Sequence, residues 1–164
     1  MNILAVGCHP DDLEIGCGGT LARYAKEGHN VFMCHVANGN RGHVVIKPEE
    51  LRKIRIEEAR NAGKIIGARE VINIDVPDLE VNSNNQDTVK KVIDVIRYTK
   101  PDVIITHYPD DYMKDHMEVS KIVFDASFSS SVPHMETENE YYPKIPAIYY
   151  MDTLAGVNFL PEEY

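Results

Sequence analysis

The chain of 164 residues predicts an α/β protein: a doubly wound, mostly parallel sheet flanked by helices. Three observations carry that expectation. Short apolar runs recur along the chain and are continuous rather than alternating, the pattern of strands covered on both faces. Between them lie longer amphipathic segments, and parallel strands need such helical crossovers. The polar segments richest in imidazole and carboxylate follow directly on apolar runs, at the carboxyl ends of strands, where an open α/β sheet binds its ligands.

The elements follow in that order. Met1 to Gly7 carries Ile3, Leu4, Ala5 and Val6 as a buried first strand. Gly18-Gly19-Thr20 offers a turn and cap, and Leu21, Tyr24 and Ala25 recur at helical spacing until Gly28. Val31 to Ala37 is the second strand, and Asn38-Gly39-Asn40-Arg41-Gly42-His43 is turn chemistry without periodicity. A long amphipathic helix runs from about Pro48 to Gly67, then a strand from Glu70 to Ile74. A helix from Thr88 to Thr99 precedes a strand from Val103 to Thr106, which is closed by His107, Tyr108 and Pro109. A last helix spans about His116 to Ser127, and Ala147 to Met151 forms a further strand. Ser129 to Tyr142 is polar and loop-like, placed to cover one edge of the sheet. The whole is a single domain, residues 1–164, of Rossmann-like architecture.

Composition narrows the function. Lys and Arg total 17 against 26 Asp and Glu, a net charge of -9 that repels a phosphate backbone, so nucleic acid is not an expected partner. No apolar run approaches the roughly 18 residues that cross a bilayer, and the N-terminus lacks the basic start of a signal peptide. Cys8, Cys17 and Cys34 are odd in number and form no C-x-x-C pair. They read as free, buried thiols in a reducing, cytoplasmic setting.

The chemistry concentrates in His9-Pro10-Asp11-Asp12 at the end of the first strand. Pro10 fixes one backbone angle, so His9 and Asp12 can point to one centre while Asp11 projects beside them. An imidazole and a carboxylate suit a borderline ion such as zinc, and Asp115-His116, after a later strand, is the best source of a third ligand. His107 competes for that place because it also ends a strand. His29, His35, His43 and His134 have no comparable partner and read as structural. Arg55 and Glu58 share a helix face, either as a solvated pair or as a reach toward the substrate mouth. Gly16, Gly18 and Gly19 match no dinucleotide fingerprint, and the acidic pair before them repels pyrophosphate, which excludes a nucleotide cofactor and a Rossmann-type dehydrogenase.

The run His9-Pro10-Asp11-Asp12-x-Glu14, then Gly16-x-Gly18-Gly19-Thr20-Leu21-Ala22, Arg55-x-x-Glu58, Asp111 and Asp115-His116 resembles the LmbE-like (PIG-L) family of N-deacetylases. The likeness covers essentially the whole chain, and Pro77-Asp78 matches that family's turn after the third strand. The resemblance implies a hydrolase that removes an acetyl or other acyl group from an N-acetylglucosaminyl-type small molecule. It makes His9, Asp12 and His116 the ligands of one zinc ion per chain, or of another divalent metal in its place. Asp11 matches the family's catalytic base. Glu14, Arg55, Asp111, Tyr112 and Asp115 are expected to touch the substrate or to position the ligands.

Two departures stand out. Where many members carry a histidine that helps to hold the oxyanion, this chain has Met113, whose thioether donates no hydrogen bond. Tyr112, His107 and Arg55 are the candidates to replace it. Members also continue past a segment resembling Asn158-Phe159-Leu160-Pro161 into a final strand and helix, and this sequence stops at Tyr164. Together they motivate an alternative, a non-catalytic metal- or sugar-binding domain of the same fold. A homo-oligomer is compatible with the aromatic pairs Tyr141-Tyr142 and Tyr149-Tyr150.

Overall fold

The computed structural model describes residues 1–153, so the segment at 158–161 and the chain end lie outside the described residues. Among the described residues five strands form one sheet: β1 (Asn2–Gly7), β2 (Asn30–Ala37), β3 (Glu70–Val76), β4 (Val103–His107) and β5 (Ala147–Met151). Their order is β3-β2-β1-β4-β5, and every pairing is parallel. The connecting helices are α1 (Asp12–Gly16), α2 (Gly18–Lys26), α3 (Pro48–Ile66), α4 (Gln86–Thr99) and α5 (Lys114–Ser129). The chain winds outward through β2 and β3, crosses back, and continues through β4. The order therefore reverses between β1 and β4, and their carboxyl ends diverge around a crevice.

Side-chain alternation along β1 splits the core into two layers. Leu4 and Val6 pack with Cys34, Ile93, Ile96, Ile104 and Ile122 beneath α4 and α5. Ile3 and Ala5 face the other way, against Leu13, Leu21, Met33 and Ile66 of α1, α2, β2 and α3. Ile3, Leu4 and Val6 are fully buried, a gain of about 1.5–3 kcal/mol each. This is why the first strand reads as an unbroken apolar run. Helix α3 approaches the sheet so closely that a Cβ on Gly63 would meet Val71 Cγ2 at 2.2 Å. Gly67, at φ 86°, then ends the helix. Helix α4 starts on Asn85, whose side chain accepts from the amides of Asp87 and Thr88.

Three details differ from the expectations. A five-residue helix, α1, follows directly on the His-Pro-Asp-Asp turn, and α2 begins at Gly18 rather than after a cap at Thr20. So short a helix lacks the two turns from which periodicity is read. Strand β5, expected only as a further strand, is an edge strand among the described residues, with Tyr149 and Tyr150 exposed. Residues 130–146 form no regular element, as expected, but they wrap around Arg97 of α4. The three thiols are free and buried, and burial pushes Cys17 and Cys34 up to about 12. Among the described residues no helix is long and apolar enough to cross a membrane.

Candidate metal centre and catalytic site

Strand β1 delivers its last residues into the β1/β4 crevice. The His9 carbonyl accepts the amides of Asp11 (3.0 Å) and Asp12 (3.2 Å), folding Pro10 and Asp11 into a tight turn that opens α1. Asp12 turns back, and its Oδ2 accepts the His9 N–H at 2.6 Å. Three imidazoles converge on that buried carboxylate. His9 Nδ1 lies 3.5 Å and His107 Nε2 3.2 Å from Oδ2, and His116 Nε2 lies 3.3 Å from Oδ1. His107 closes β4 and His116 sits in the first turn of α5, so the adjacency of β4 to β1 brings them together across 100 residues of sequence.

A surrounding set of carboxylates fixes the rings. Asp111 Oδ2 stands 3.2 Å from His116 Nδ1, and its Oδ1 accepts the Met113 amide. Asp115 Oδ2 stands 3.5 Å from His9 Nε2 and accepts the Leu79 amide at 2.6 Å. With its Nδ1 facing Asp111, His116 presents Nε2, a buried nitrogen with no hydrogen-bond partner among the described residues. This is the arrangement in which an acid orients a metal-binding imidazole. The donor atoms of Asp12, His107 and His116 lie within 4.8 Å of one another, as do those of Cys8, His9 and Asp12. The expected set of His9, Asp12 and His116 is not itself one of these trios: His9 falls in one and His116 in the other, with Asp12 common to both. His107 differs in one respect: its Nε2 accepts the Cys8 amide at 2.9 Å, so the lone pair a cation needs is already engaged. Its ring stacks on His116, with centroids 4.0 Å apart.

Electrostatics point the same way. Burial alone would raise Asp12, yet the three imidazoles of His107, His116 and His9 gathered around it hold its carboxyl far below the usual carboxylate range. Burial alone would lower His9 and His116, and the neighbouring Asp12 outweighs it and raises both. His107, more deeply enclosed, is lowered by burial. Asp12, Asp111 and Asp115 thus surround the imidazoles with buried acid, a charge balance that a cation completes. The donor set and the unpartnered Nε2 fit a divalent metal.

Asp11 stands beside this centre at φ 152°, a backbone angle rare for a residue with a side chain. Its carboxylate is half exposed and accepts from Arg55 Nη2 at 2.6 Å. The same guanidinium holds the Pro10 carbonyl, and its Nη1 meets Glu58 at 2.7 Å. Burial raises the Asp11 carboxyl, with Arg55 opposing. Both groups line a cavity of about 720 Å³ whose floor is His9, Asp12 and His116. Asp78 clamps the loop over it, accepting the amides of Gly39 and Arg41 at 2.8 Å each. Gly39, at φ 74°, is closely approached by Arg55 and Pro10, and its left-handed backbone strains any other residue. Leu79, at φ 67°, adopts a left-handed conformation that costs a leucine roughly 1–2 kcal/mol.

The structure gathers His9, Asp11, Asp12, Arg55, Asp111, Tyr112, Asp115 and His116 at this one place. Glu14 is the exception. Its carboxylate is buried 3.6 Å from His35 Nε2, away from the cavity, because Glu14 projects from α1 toward the sheet. His35, expected to lack a partner, faces that carboxylate, and neither group makes a hydrogen bond among the described residues. His43 lines the cavity instead of being merely structural, and its Nδ1 accepts the Val45 and Ile46 amides. Asp78, known beforehand only as part of a turn, is the loop's anchor. Its signal was an acid placed directly after a strand-ending proline.

Residues 4–127 match the family model described as PIG-L, GlcNAc-PI de-N-acetylase. The chain is 35% identical over 122 residues to YaiS of Escherichia coli K12, an uncharacterized deacetylase, and that match covers 71% of this chain and 63% of the relative. In fold it is similar to N,N'-diacetylchitobiose deacetylase from Pyrococcus horikoshii, with a TM-score of 0.84 at 21% identity over 93% of this chain and 60% of the other. It is also similar to GalB, the 4-carboxy-2-hydroxymuconate hydratase from Pseudomonas putida KT2440, with a TM-score of 0.81 at 24% identity over 93% and 66%. The chain thus spans 60–66% of the length of each of these proteins. A deacetylase and a hydratase share the architecture, so the fold alone selects no reaction. The family match is sharper, because it contains the turn that holds Asp12 together with the helix that carries His116, and on that span the chain belongs to the PIG-L (LmbE-like) family.

Proposed function

We propose that this chain is a zinc-dependent N-deacetylase that removes an acetyl or other acyl group from the nitrogen of an N-acetylglucosaminyl-type small molecule. The observation that carries the proposal is the unpartnered His116 Nε2 facing Asp12, next to an Arg55-pinned Asp11 on the same cavity. His9, Asp12 and His116 would hold one ion, and two imidazoles with a carboxylate suit zinc first and other divalent metals after it. When bound, such an ion polarises the amide carbonyl and acidifies water.

Asp11 takes the proton of the attacking water and returns it to the departing nitrogen, so amide and water become carboxylate and amine. Arg55 keeps Asp11 ionised and aimed, and Asp111 and Asp115 hold His116 and His9 in orientation. The developing oxyanion needs a donor that Met113, on the cavity wall, does not provide. Arg55 is spent on Asp11, Pro10 and Glu58, and His107 lies behind His116. Tyr112 remains: it lines the cavity with its ring 5.9 Å from His116, and we assign the donor role to its hydroxyl. The family description names an N-acetylglucosaminyl compound and the Pyrococcus neighbour is named for an acetylated chitobiose, which supports an amino-sugar substrate. Three free, buried thiols support a cytoplasmic setting.

Elemental analysis with an acetate-release assay on N-acetylglucosamine derivatives tests this reading. About one zinc per chain is expected, lost in His116→Ala and kept in His107→Ala, with acetate released by the wild type. Metal loss in His107→Ala alone would move the site to the other trio. Met113 motivates a second reading, a non-catalytic sugar-binding domain, which predicts bound metal and bound sugar without acetate release.

A further inference from the structure

We infer that the substrate carries an apolar substituent on its amino sugar, and that Leu79 is the residue that selects it. The inference rests on the amino-sugar reading above and names the substrate class more closely. A cavity of about 720 Å³ falls within the roughly 300–1,000 Å³ that encloses a drug-sized ligand, more than a single acetylated sugar requires.

Three exposed aliphatic side chains, from three separate elements, line its walls above the catalytic floor. Ile15 of α1 is 59% exposed, Ile54 of α3 is 37% exposed and Leu79, in the loop after β3, is 69% exposed. One exposed leucine is ordinary on any surface, but three exposed aliphatic side chains on one cavity offer apolar contact beside the reacting centre. The charged groups on the same walls are already engaged. Arg41 is held by the Asp78 carbonyl and Glu80, and Arg55 by Asp11, Pro10 and Glu58. A second sugar ring, with its many hydroxyls, would find few free partners there. An alkyl or aryl group finds contact.

Leu79 singles itself out by its backbone. A left-handed position on a loop is where glycine or asparagine is at ease, and an exposed leucine there gains neither burial nor conformational ease. The Asp115 carboxylate holds its amide and also faces His9, so the side chain is set in fixed relation to the metal-binding imidazoles. A rigidly presented aliphatic group at the mouth of a polar site acts as an anchor for an apolar ligand group.

The apolar group is either the aglycone of the sugar or the acyl chain on its nitrogen, and the test separates them. Binding is measured by calorimetry on the metal-loaded protein for N-acetylglucosamine, its octyl glycoside and N-octanoylglucosamine. At about fourfold in affinity per buried methylene, one of the two octyl compounds is expected to bind at least tenfold tighter than the parent sugar. In Leu79→Gly, which suits φ 67° and so keeps the fold, that ratio is expected to fall toward one, while Phe124→Ser on the far face of α5 leaves it intact. Octyl compounds binding no better than N-acetylglucosamine, or a ratio unchanged in Leu79→Gly, overturns the inference. Release of the free amine is followed in parallel: its absence on all three compounds defeats the deacylase reading alone, because the binding ratio still decides the role of Leu79.

Discussion

Two buried polar clusters lie at opposite ends of the sheet. At the carboxyl ends of β1 and β4, Asp12 faces three imidazoles and His116 Nε2 has no hydrogen-bond partner among the described residues. Near the start of β4, Arg97 in the last turn of α4 is equally buried, yet its guanidinium donates to the carbonyls of Ser130, Val132, Met135 and Asn139 and to Thr137 Oγ1. The second cluster is saturated and closes the 130–146 loop onto the core. The first is left open toward a cavity. An unmatched buried polar atom costs stability, and its retention on a cavity wall is the mark of a ligand site.

The comparison can be broken at its strongest point first. Asp11→Asn is expected to lower turnover by as much as about 10⁴-fold while metal content and melting temperature stay near wild type. An accompanying metal loss would make Asp11 part of the ligand set. Arg97→Met should do the reverse, costing about 3–5 kcal/mol in chemical denaturation because five acceptors lose their donor, with turnover per folded molecule preserved. Tyr112→Phe is expected to cost about 10²-fold in kcat with little change in KM, and an unchanged kcat sends the oxyanion donor elsewhere.

The smallest effect concerns a third region, where Glu118 of α5 holds the loop that carries Leu79. Hydrogen bonds from Ser83, with Lys121 beside it, lower the Glu118 carboxyl to about 2. Because the folded value lies below the unfolded one, its stabilisation is complete above about pH 4.3 and is lost as pH falls toward about 2. Glu118→Gln should therefore cost about 1 kcal/mol at pH 7, with the difference from wild type shrinking at pH 3. A difference independent of pH would assign the effect to packing.

Much of this was legible beforehand. The run Ile3 to Val6 and the helical spacing in 48–67 and 88–99 report burial that local periodicity encodes, and the elements fall where they indicate. The His9-Pro10-Asp11-Asp12 turn was legible as chemistry because ligand-type residues lie side by side at a strand end. The pairing of Glu14 with His35 was not, since it depends on which way a five-residue helix turns its second carboxylate. Nor was the embrace of Arg97, whose partners are mostly backbone carbonyls, a group every residue carries and no side-chain pattern marks.

The sequence by itself determined the order of the strands and the longer helices, the free thiols, the acidic net charge and the residues able to bind a metal. These properties follow from side-chain type and short-range spacing. Only the tertiary structure decided that β4 lies beside β1, which carries His107 and His116 to a carboxylate about a hundred residues earlier. The same packing engaged His107 with the Cys8 amide, left His116 Nε2 free and held Leu79 at the cavity mouth. Each of those outcomes depends on long-range strand order and on backbone groups competing for the same lone pairs, and neither is written in the spacing of neighbouring residues.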